Sequence, residues 1–591
     1  MIYLLYVEYH NKTFHYSNIF FAKNNNKHLI IIDSIYIFYK AIMTNSPKFI
    51  FVTGGVMSGL GKGIVASSIA KLLQLCGLKV TCTKIDPYLN YDAGTMNPLT
   101  HGEVFVTDDG GECDMDIGNY ERFLNISLRS SHNLTAGRVF SNVIELERQG
   151  KYLGQCVQII PHITDEIKKQ LRKISLEEDL DILVVECGGT VGDIESLPFL
   201  EALRQMELED GYTNTFFVHV TLAPVLDAVG EQKTKPTQHS VQELRRIGIQ
   251  PDLLAVRCKT PLTKETIRKI SLFASIPTEC VMSSHDAISI YSVPKILFDQ
   301  GITEVISKSL NLNLTPKILK WNKITNSFLN FDGSVKIGII GKYVNLKDSY
   351  VSVSQALLHA GAKFGKEIKI DWIDSEKFEL PGNNKPIRKN NSKILNCLTE
   401  YDGILVPGGF GSRGSEGIIN SCNFARVNNV PFLGICFGFQ LAIVEFARNV
   451  CKLNGANSTE INSETQYPVV LYMPEQKQIK TMGGTMRLGL HDIQIESDSI
   501  ASKIYRKNAV QKRHRHRYEF NQEYRVLLEK NGMKFTGSSD DGRRIEILEI
   551  PSHKFYLGIQ YHGEFHSRPG FPEPAFENFI KATLASKKKI N

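Results

Sequence analysis

Residues 48–53 form an apolar run with no polar face. The run ends in glycines and opens directly onto a helical period, which leaves few folds open to this chain. A strand of that kind needs cover on both sides, as in a parallel sheet flanked by helices. Helical spacing of apolar residues follows over 61–75, and 80–85, 181–186, 215–222 and 253–256 read as further core strands. A second alternation starts at Val335-Lys336-Ile337-Gly338-Ile339-Ile340 and includes strands at 403–407, 431–435 and 556–560. Two such alternations predict an α/β protein made of two doubly wound domains.

Composition sets the boundaries. Residues 1–42 are rich in Ile, Tyr, Phe, Asn and Lys and look foreign to the rest, so they read as a disordered extension or an upstream start codon. Their apolar pieces, 2–9 and 29–39, are broken by charge or fall short of the ~20 apolar residues that span a bilayer. They also lack the basic start and small-residue cleavage site of a signal. The first domain is expected at 43–310, a polar linker at 311–333, the second domain at 334–580 and a basic tail at 581–591. A polar insertion is expected at 381–393.

The net charge of +7 is mild for 591 residues, and no basic stripe interleaves with aromatics, so neither nucleic acid nor a membrane is an expected partner. Eleven scattered cysteines without a C-x-x-C pair read as reduced thiols of a cytoplasmic protein, not as a disulfide frame or zinc site. The dense cluster Lys512-Arg513-His514-Arg515-His516-Arg517 reads, on charge alone, as a solvated face.

Two motifs carry chemistry. In Thr53-Gly54-Gly55-Val56-Met57-Ser58-Gly59-Leu60-Gly61-Lys62-Gly63, glycines let backbone N–H groups close around phosphate oxygens at a helix N-terminus. Lys62 would reach the outer phosphates. The spacing departs from the standard phosphate loop, and Gly63 replaces the hydroxyl residue that touches Mg²⁺. The metal then needs other oxygens, with Asp116 and Glu186 as candidates. The second motif, Gly434-Ile435-Cys436-Phe437-Gly438, is a strand-to-helix turn that exposes a nucleophile. Tyr561-His562-Gly563-Glu564 follows downstream. His562 would take and return the proton, and Glu564 would hold the ring's other nitrogen. The backbone of Pro407-Gly408-Gly409-Phe410-Gly411 would join an oxyanion hole beside Cys436.

Further motifs carry a family. They include Lys84-Ile85-Asp86-Pro87-Tyr88, Gly94-Thr95-Met96, His101-Gly102-Glu103-Val104-Phe105-Val106 and Tyr120-Glu121-Arg122-Phe123. Glu186-Cys187-Gly188-Gly189-Thr190-Val191-Gly192-Asp193-Ile194-Glu195-Ser196, Lys233-Thr234-Lys235-Pro236-Thr237-Gln238-His239-Ser240, Arg513-His514-Arg515-His516-Arg517-Tyr518-Glu519 and Ser567-Arg568-Pro569 complete the set. From about residue 48 to 580 the chain resembles the CTP synthases, glutamine-dependent amidotransferases. The resemblance implies a P-loop-like, dethiobiotin-synthetase-like synthetase domain and a class I glutamine amidotransferase domain of flavodoxin-like form.

The resemblance also implies a reaction. ATP phosphorylates the 4-oxygen of UTP, and ammonia from L-glutamine travels internally and displaces phosphate to give CTP. Ser58 would lie beside the pyrimidine nucleotide. Gly59, Leu60, Gly61, Lys62, Gly63 and Ile64 would hold ATP, with Lys62 and Lys84 assisting phosphoryl transfer. Asp116 and Glu186 would bind Mg²⁺, and His285, Asp286 and Ala287 would approach the adenine. UTP, and CTP as feedback inhibitor, would meet Asp193, Ile194, Glu195, Lys233, Thr234, Lys235, Pro236, Thr237, Gln238 and Lys269. Glutamine would meet Gly409, Phe437, Gly438, Phe439, Gln440, Glu460 and Arg517. GTP would activate a homotetramer that can stack into filaments.

One position departs: Gly563 stands where the family reads proline. That change frees the backbone by about 1 kcal/mol of entropy and removes no catalytic atom. Two other readings remain open at this stage. One is a cobyrinate-type amidase, which activates a carboxylate; the other is a non-catalytic, filament-forming subunit.

Overall fold

The computed structural model describes residues 47–225, 230–379, 395–476 and 483–587. The extension at 1–42 and the insertion at 381–393 lie outside the described residues. The first sheet contains β1 (Lys48–Gly54), β2 (Val80–Asp86), β3 (Asn133–Thr135), β4 (Ile182–Cys187), β5 (Thr215–Leu222), β6 (Leu253–Cys258) and β7 (Val281–His285). Their order is β3-β2-β4-β1-β5-β6-β7, and every pairing is parallel. β1 sits between β4 and β5, with Ile50 opposite Val184 on one side and Phe216 on the other. The chain therefore changes direction of winding beside β1, and its glycine loop emerges where open α/β sheets bind ligands.

Helix α1 (Lys62–Leu75) starts at Gly61, whose φ of 88° suits glycine. It buries Val65, Ile69, Leu72 and Leu73 against Ile50 and Val52. Each such side chain contributes about 1.5–3 kcal/mol of burial. Helix α2 (Met115–Leu124) is capped by the Asp114 carboxylate, which accepts from the Asp116 N–H. Helix α3 (Lys235–Arg246) follows with Pro236 in its first turn.

Helix α4 (Ile318–Asn326) occupies the segment expected as a polar linker. Trp321 is the reason: it is buried against Phe123 and Tyr291, and its indole N–H donates to the Tyr291 carbonyl at 2.9 Å. Lys320 and Lys323 lie on its exposed face, while Thr325 turns inward to the Tyr291 carbonyl.

The second sheet contains β8 (Ser334–Gly341), β9 (Glu367–Asp374), β10 (Gly403–Val406), β11 (Phe432–Ile435), β12 (Arg487–Ile495), β13 (Ala509–His516), β14 (Lys534–Ser539), β15 (Arg544–Glu549) and β16 (Tyr556–Ile559). Their order is β9-β8-β10-β11-β16-β15-β14-β12-β13. β9 through β16 in that order pair in parallel, and the remaining four strands extend the sheet antiparallel. This antiparallel wing adds to the doubly wound pattern expected from sequence. Helices of the second half include α5 (Val351–Lys363), α6 (Phe437–Asn449) and α7 (Pro574–Lys587). α7 runs through residues 581–587, so the expected basic tail begins as helix. The described residues form one compact unit.

Candidate active sites

The first site gathers around Lys84, at the end of β2. Its ammonium lies 2.5 Å from Asp116 Oδ2, 3.3 Å from Glu186 Oε1, 3.6 Å from Asp114 Oδ1 and 3.7 Å from Asp86 Oδ1. Burial opposes that charge, but the carboxylates outweigh it and hold the lysine well above its usual range. Burial first, then Asp116, pushes Glu186 up to about 7. Burial also works to raise Asp116, and Lys84 overrides it, leaving Asp116 below the usual range. Tyr120, one helical turn after Asp116 on α2, donates to Glu186 Oε2. Four carboxylates against one buried lysine suit a hard divalent cation and phosphate-bound charge.

Gly63 explains the departure from the standard loop. A Cβ there would lie 2.2 Å from Asp116 Oδ1, so the carboxylate fills the space a Ser or Thr would use. Gly54 is restricted in a similar way, because a Cβ would lie 2.6 Å from Lys62 Cδ. Lys62 thereby folds back over the loop and donates to the Gly189 carbonyl at 2.6 Å, while Ser58 and Gly59 stay exposed. On β5, His219 contacts Thr53 Oγ1 at 2.9 Å and Ser240 Oγ at 2.6 Å, tying the loop to α3. Burial, with Lys62, lowers that imidazole to about 3, so it is neutral.

The other nucleotide candidates fall on the surrounding loops and helix starts. Asp193 accepts from the Thr190 N–H at 2.8 Å, and Ile194 and Glu195 are exposed. Lys233 pairs with Glu231 at 2.6 Å, and the exposed Lys269 acts on the same carboxylate. Thr234 and Gln238 bond each other, Thr237 donates to the Leu222 carbonyl, and Lys235 and Pro236 open α3. His285 ends β7, and Asp286 and Ala287 follow it, with Asp286 paired to Arg257.

The second site is the turn from β11 to α6. Cys436 has φ 52° and ψ −97°, a strained conformation for a side-chain-bearing residue. His562 Nδ1 lies 2.7 Å from Glu564 Oε1. The ring's Nε2 is buried and without a hydrogen-bond partner among the described residues. Burial disfavours a charged ring, but Glu564 and then Cys436 push His562 up to about 10. Gly408 closes this side of the site: a Cβ there would lie 3.0 Å from His562 Cε1. Gln560 Nε2 reaches the Cys436 sulfur at 3.7 Å and Gln440 Nε2 reaches the Tyr518 carbonyl at 3.0 Å. Phe437, Gly438 and Phe439 are buried in the first turn of α6.

Gly409 lies beside Lys342, a residue that sequence reading missed. Burial lowers the Lys342 ammonium to about 8, and it sits 4.2 Å from the Phe437 ring centre. Glu460 accepts from the Gly411 N–H at 2.7 Å, and Arg517 donates to Gln476 at 2.6 Å. A Cβ at Gly563 would come within 3.0 Å of Glu573 Cδ, so a carboxylate borders the space of a proline ring.

The basic cluster corrects its reading as a solvated face. Lys512, Arg513, His514 and His516 are all buried. On β13 the residues alternate: Arg513 pairs with Glu121, Arg515 with Glu112, and His514 turns to Glu546 on β15. Period-two spacing puts the arginines on the face toward the first domain and the histidines in the core. Between the halves lies a cavity of about 60 Å³, lined by Cys436, His562 and Glu564 on one side and Pro98, Glu103 and Val104 on the other. It has room for about two water-sized molecules.

Comparison with known proteins covers both halves of the chain. Residues 48–312 match the family model for the CTP synthase N-terminus, and residues 345–582 match that for class I glutamine amidotransferases. The chain is 53% identical over 544 residues to the CTP synthase of Pyrococcus abyssi, covering 92% of this chain and 99% of that one. The chain belongs to the CTP synthase family. A CTP synthase of Staphylococcus epidermidis is 51% identical over 544 residues, covering 92% of this chain and all of the relative. CTP synthases are glutamine-dependent ligases of pyrimidine biosynthesis, and the two family models meet the two sites described above.

Tyr120, Glu121, Arg513 and Arg568 stand in family motifs, yet spacing along the chain gave no hint that they meet. Each finds its partner only across the fold.

Proposed function

We propose that this chain makes CTP from UTP, ATP and L-glutamine. The observation that carries the reading is the placement of a Cys436–His562–Glu564 triad and a lysine–carboxylate cluster in one compact unit, with a small cavity opening off the triad toward the first domain. Cys436 attacks the side-chain amide of glutamine. His562, held by Glu564, gives its proton to the departing ammonia and then takes one from the water that hydrolyses the thioester. Backbone N–H groups of Gly409 and Phe437 face the developing oxyanion. Glu460 and Arg517 hold the amino acid's charged ends.

Ammonia enters the cavity and travels toward the first domain without meeting bulk water. There Lys62 and Lys84 neutralise the phosphoryl group moving from ATP to the 4-oxygen of UTP. Ammonia then displaces phosphate and leaves CTP. Asp116 and Glu186 would hold Mg²⁺, which would offset phosphate charge when bound. Gly59 to Ile64 and His285 to Ala287 take ATP. Ser58, Asp193 to Glu195, Lys233 to Gln238 and Lys269 take UTP, or CTP as inhibitor. GTP is proposed as activator. We place the enzyme in the cytoplasm, where eleven free thiols stay reduced. A homotetramer is proposed from the family, and exposed apolar residues of the first half, including Leu89, Tyr91 and Leu153, offer surface for contacts between copies.

The test is CTP formation from UTP and MgATP, run in parallel with glutamine and with ammonium at alkaline pH. Both nitrogen sources are expected to work. Activity with neither, in folded protein, overturns the reading.

A further inference from the structure

Glu121 is fully buried on α2, and its carboxylate gathers partners from both halves of the chain. Arg513 donates to both of its oxygens, at 2.9 and 3.0 Å. Arg568 donates to Oε2 at 2.6 Å and the Leu128 N–H to Oε1 at 2.8 Å. Four donors saturate the carboxylate. Such a buried ionic triad is a costly way to obtain stability, since apolar residues of similar volume serve as well or better. Its geometry is specific instead.

Both arginines hold the segment that carries the glutaminase base. The Arg513 carbonyl accepts the His562 N–H at 2.8 Å. Arg568 donates to the carbonyls of Phe565 and Ser567 at 2.6 and 3.1 Å. The Phe565 ring stacks on the His562 ring, with centroids 5.2 Å apart and planes 15° apart. The other end of the connection is α2 itself. Asp116 and Tyr120 share one face of that helix and contact Lys84 and Glu186. Glu121 projects to the side that meets the second half. One short rigid helix thus touches the phosphoryl-transfer cluster on one face and braces the glutaminase base on the other.

We propose that Glu121 is a positioning residue that couples the two active sites, setting His562 through Arg513 and Arg568 according to the state of the Asp116–Lys84–Glu186 cluster. The proposal rests on the two-site reading above. Occupancy of the nucleotide site shifts α2, and the carboxylate carries that shift to residues 562–568. Coupling of this kind is reciprocal in binding and is read as a change at one site caused by ligand at the other.

The experiment uses the full-length protein and two variants, Glu121→Gln and Arg513→Lys. Glu121→Gln keeps the shape and removes the charge. Arg513→Lys keeps the charge and loses the two-pronged contact. Glutamine hydrolysis is measured with and without MgATP plus UTP, and CTP formation is measured from ammonium. The parent is expected to hydrolyse glutamine faster when nucleotides are present. Glu121→Gln should lose about threefold or more of that stimulation, and Arg513→Lys part of it, while ammonium-driven CTP formation stays within about twofold. If Glu121→Gln does not fold, Arg513→Lys decides. A merely structural role would lower both nitrogen sources together and leave the stimulation ratio unchanged, which overturns the proposal. So does a parent that makes CTP but shows no stimulation. A parent that makes no CTP from either source overturns the underlying function, and is recognised by that.

Discussion

A Cβ on Gly63 would lie 2.2 Å from Oδ1 of Asp116. The loop glycine and the carboxylate one helix away therefore share a single space. The family of sites around Lys62 and Lys84 depends on that close approach.

Gly63→Ser should consequently impair CTP formation from glutamine and from ammonium alike. Overpacking of this kind costs about 1–3 kcal/mol locally and moves Asp116 off Lys84. Basal glutamine hydrolysis, measured as glutamate release without nucleotides, should persist. Full CTP synthesis in the variant would refute the assigned role of Asp116.

Cys436→Ala should abolish glutamine-driven synthesis and spare synthesis from ammonium. Alanine keeps the Cβ that makes φ 52° costly, so the turn is as strained as before and thermal stability should change little. Parallel assays with the two nitrogen sources check this, and equal loss of both would contradict the division of labour.

His562 is raised from its ordinary 6.5 to about 10 by Glu564 and Cys436 against the effect of burial. A raised pKa contributes stability that is fully present below 6.5 and lost as pH climbs through about 10. His562→Gln should thus destabilise the protein most near pH 6. The gap in melting temperature between parent and variant should narrow steadily toward pH 10. A gap that widens with pH would show that the ring is neutral in the folded state.

Gly563→Pro tests whether this chain accepts the proline of its relatives. Stiffening the unfolded chain favours the variant by about 0.4–1 kcal/mol. Against that, the added carbon meets Glu573, which is tied to Tyr505 and Lys512 at 2.8 and 2.9 Å and cannot yield freely. The variant should melt no higher than the parent in calorimetry. A clear rise would mean that Glu573 moves aside.

The parallel core was legible because its cause is local. Residues 215–222 were expected as a strand and form β5 with those bounds. Residues 48–53 were expected, and β1 adds only Gly54. An apolar run that ends in glycine reports its own burial. β13 was illegible because its eight residues, Ala509–His516, end in five basic side chains in a row after Gln511, an alternation of arginine and histidine that looks solvated when read alone. The helix at Ile318–Asn326 was missed because one tryptophan, not a full apolar stripe, anchors it.

Local order and reactive chemistry were written along the chain: the glycine loop before Lys62, the turn at Cys436 and the His562–Glu564 pair two residues apart. These depend on backbone periodicity, turn geometry and the chemistry of single side chains, which act over a few residues. The meeting of Glu121 with Arg513, 392 residues later, and of Arg122 with Ser352, 230 residues later, belongs to the folded molecule. A buried charge takes whatever partner the packing of helices and sheets brings within reach, and no spacing along the chain encodes that distance.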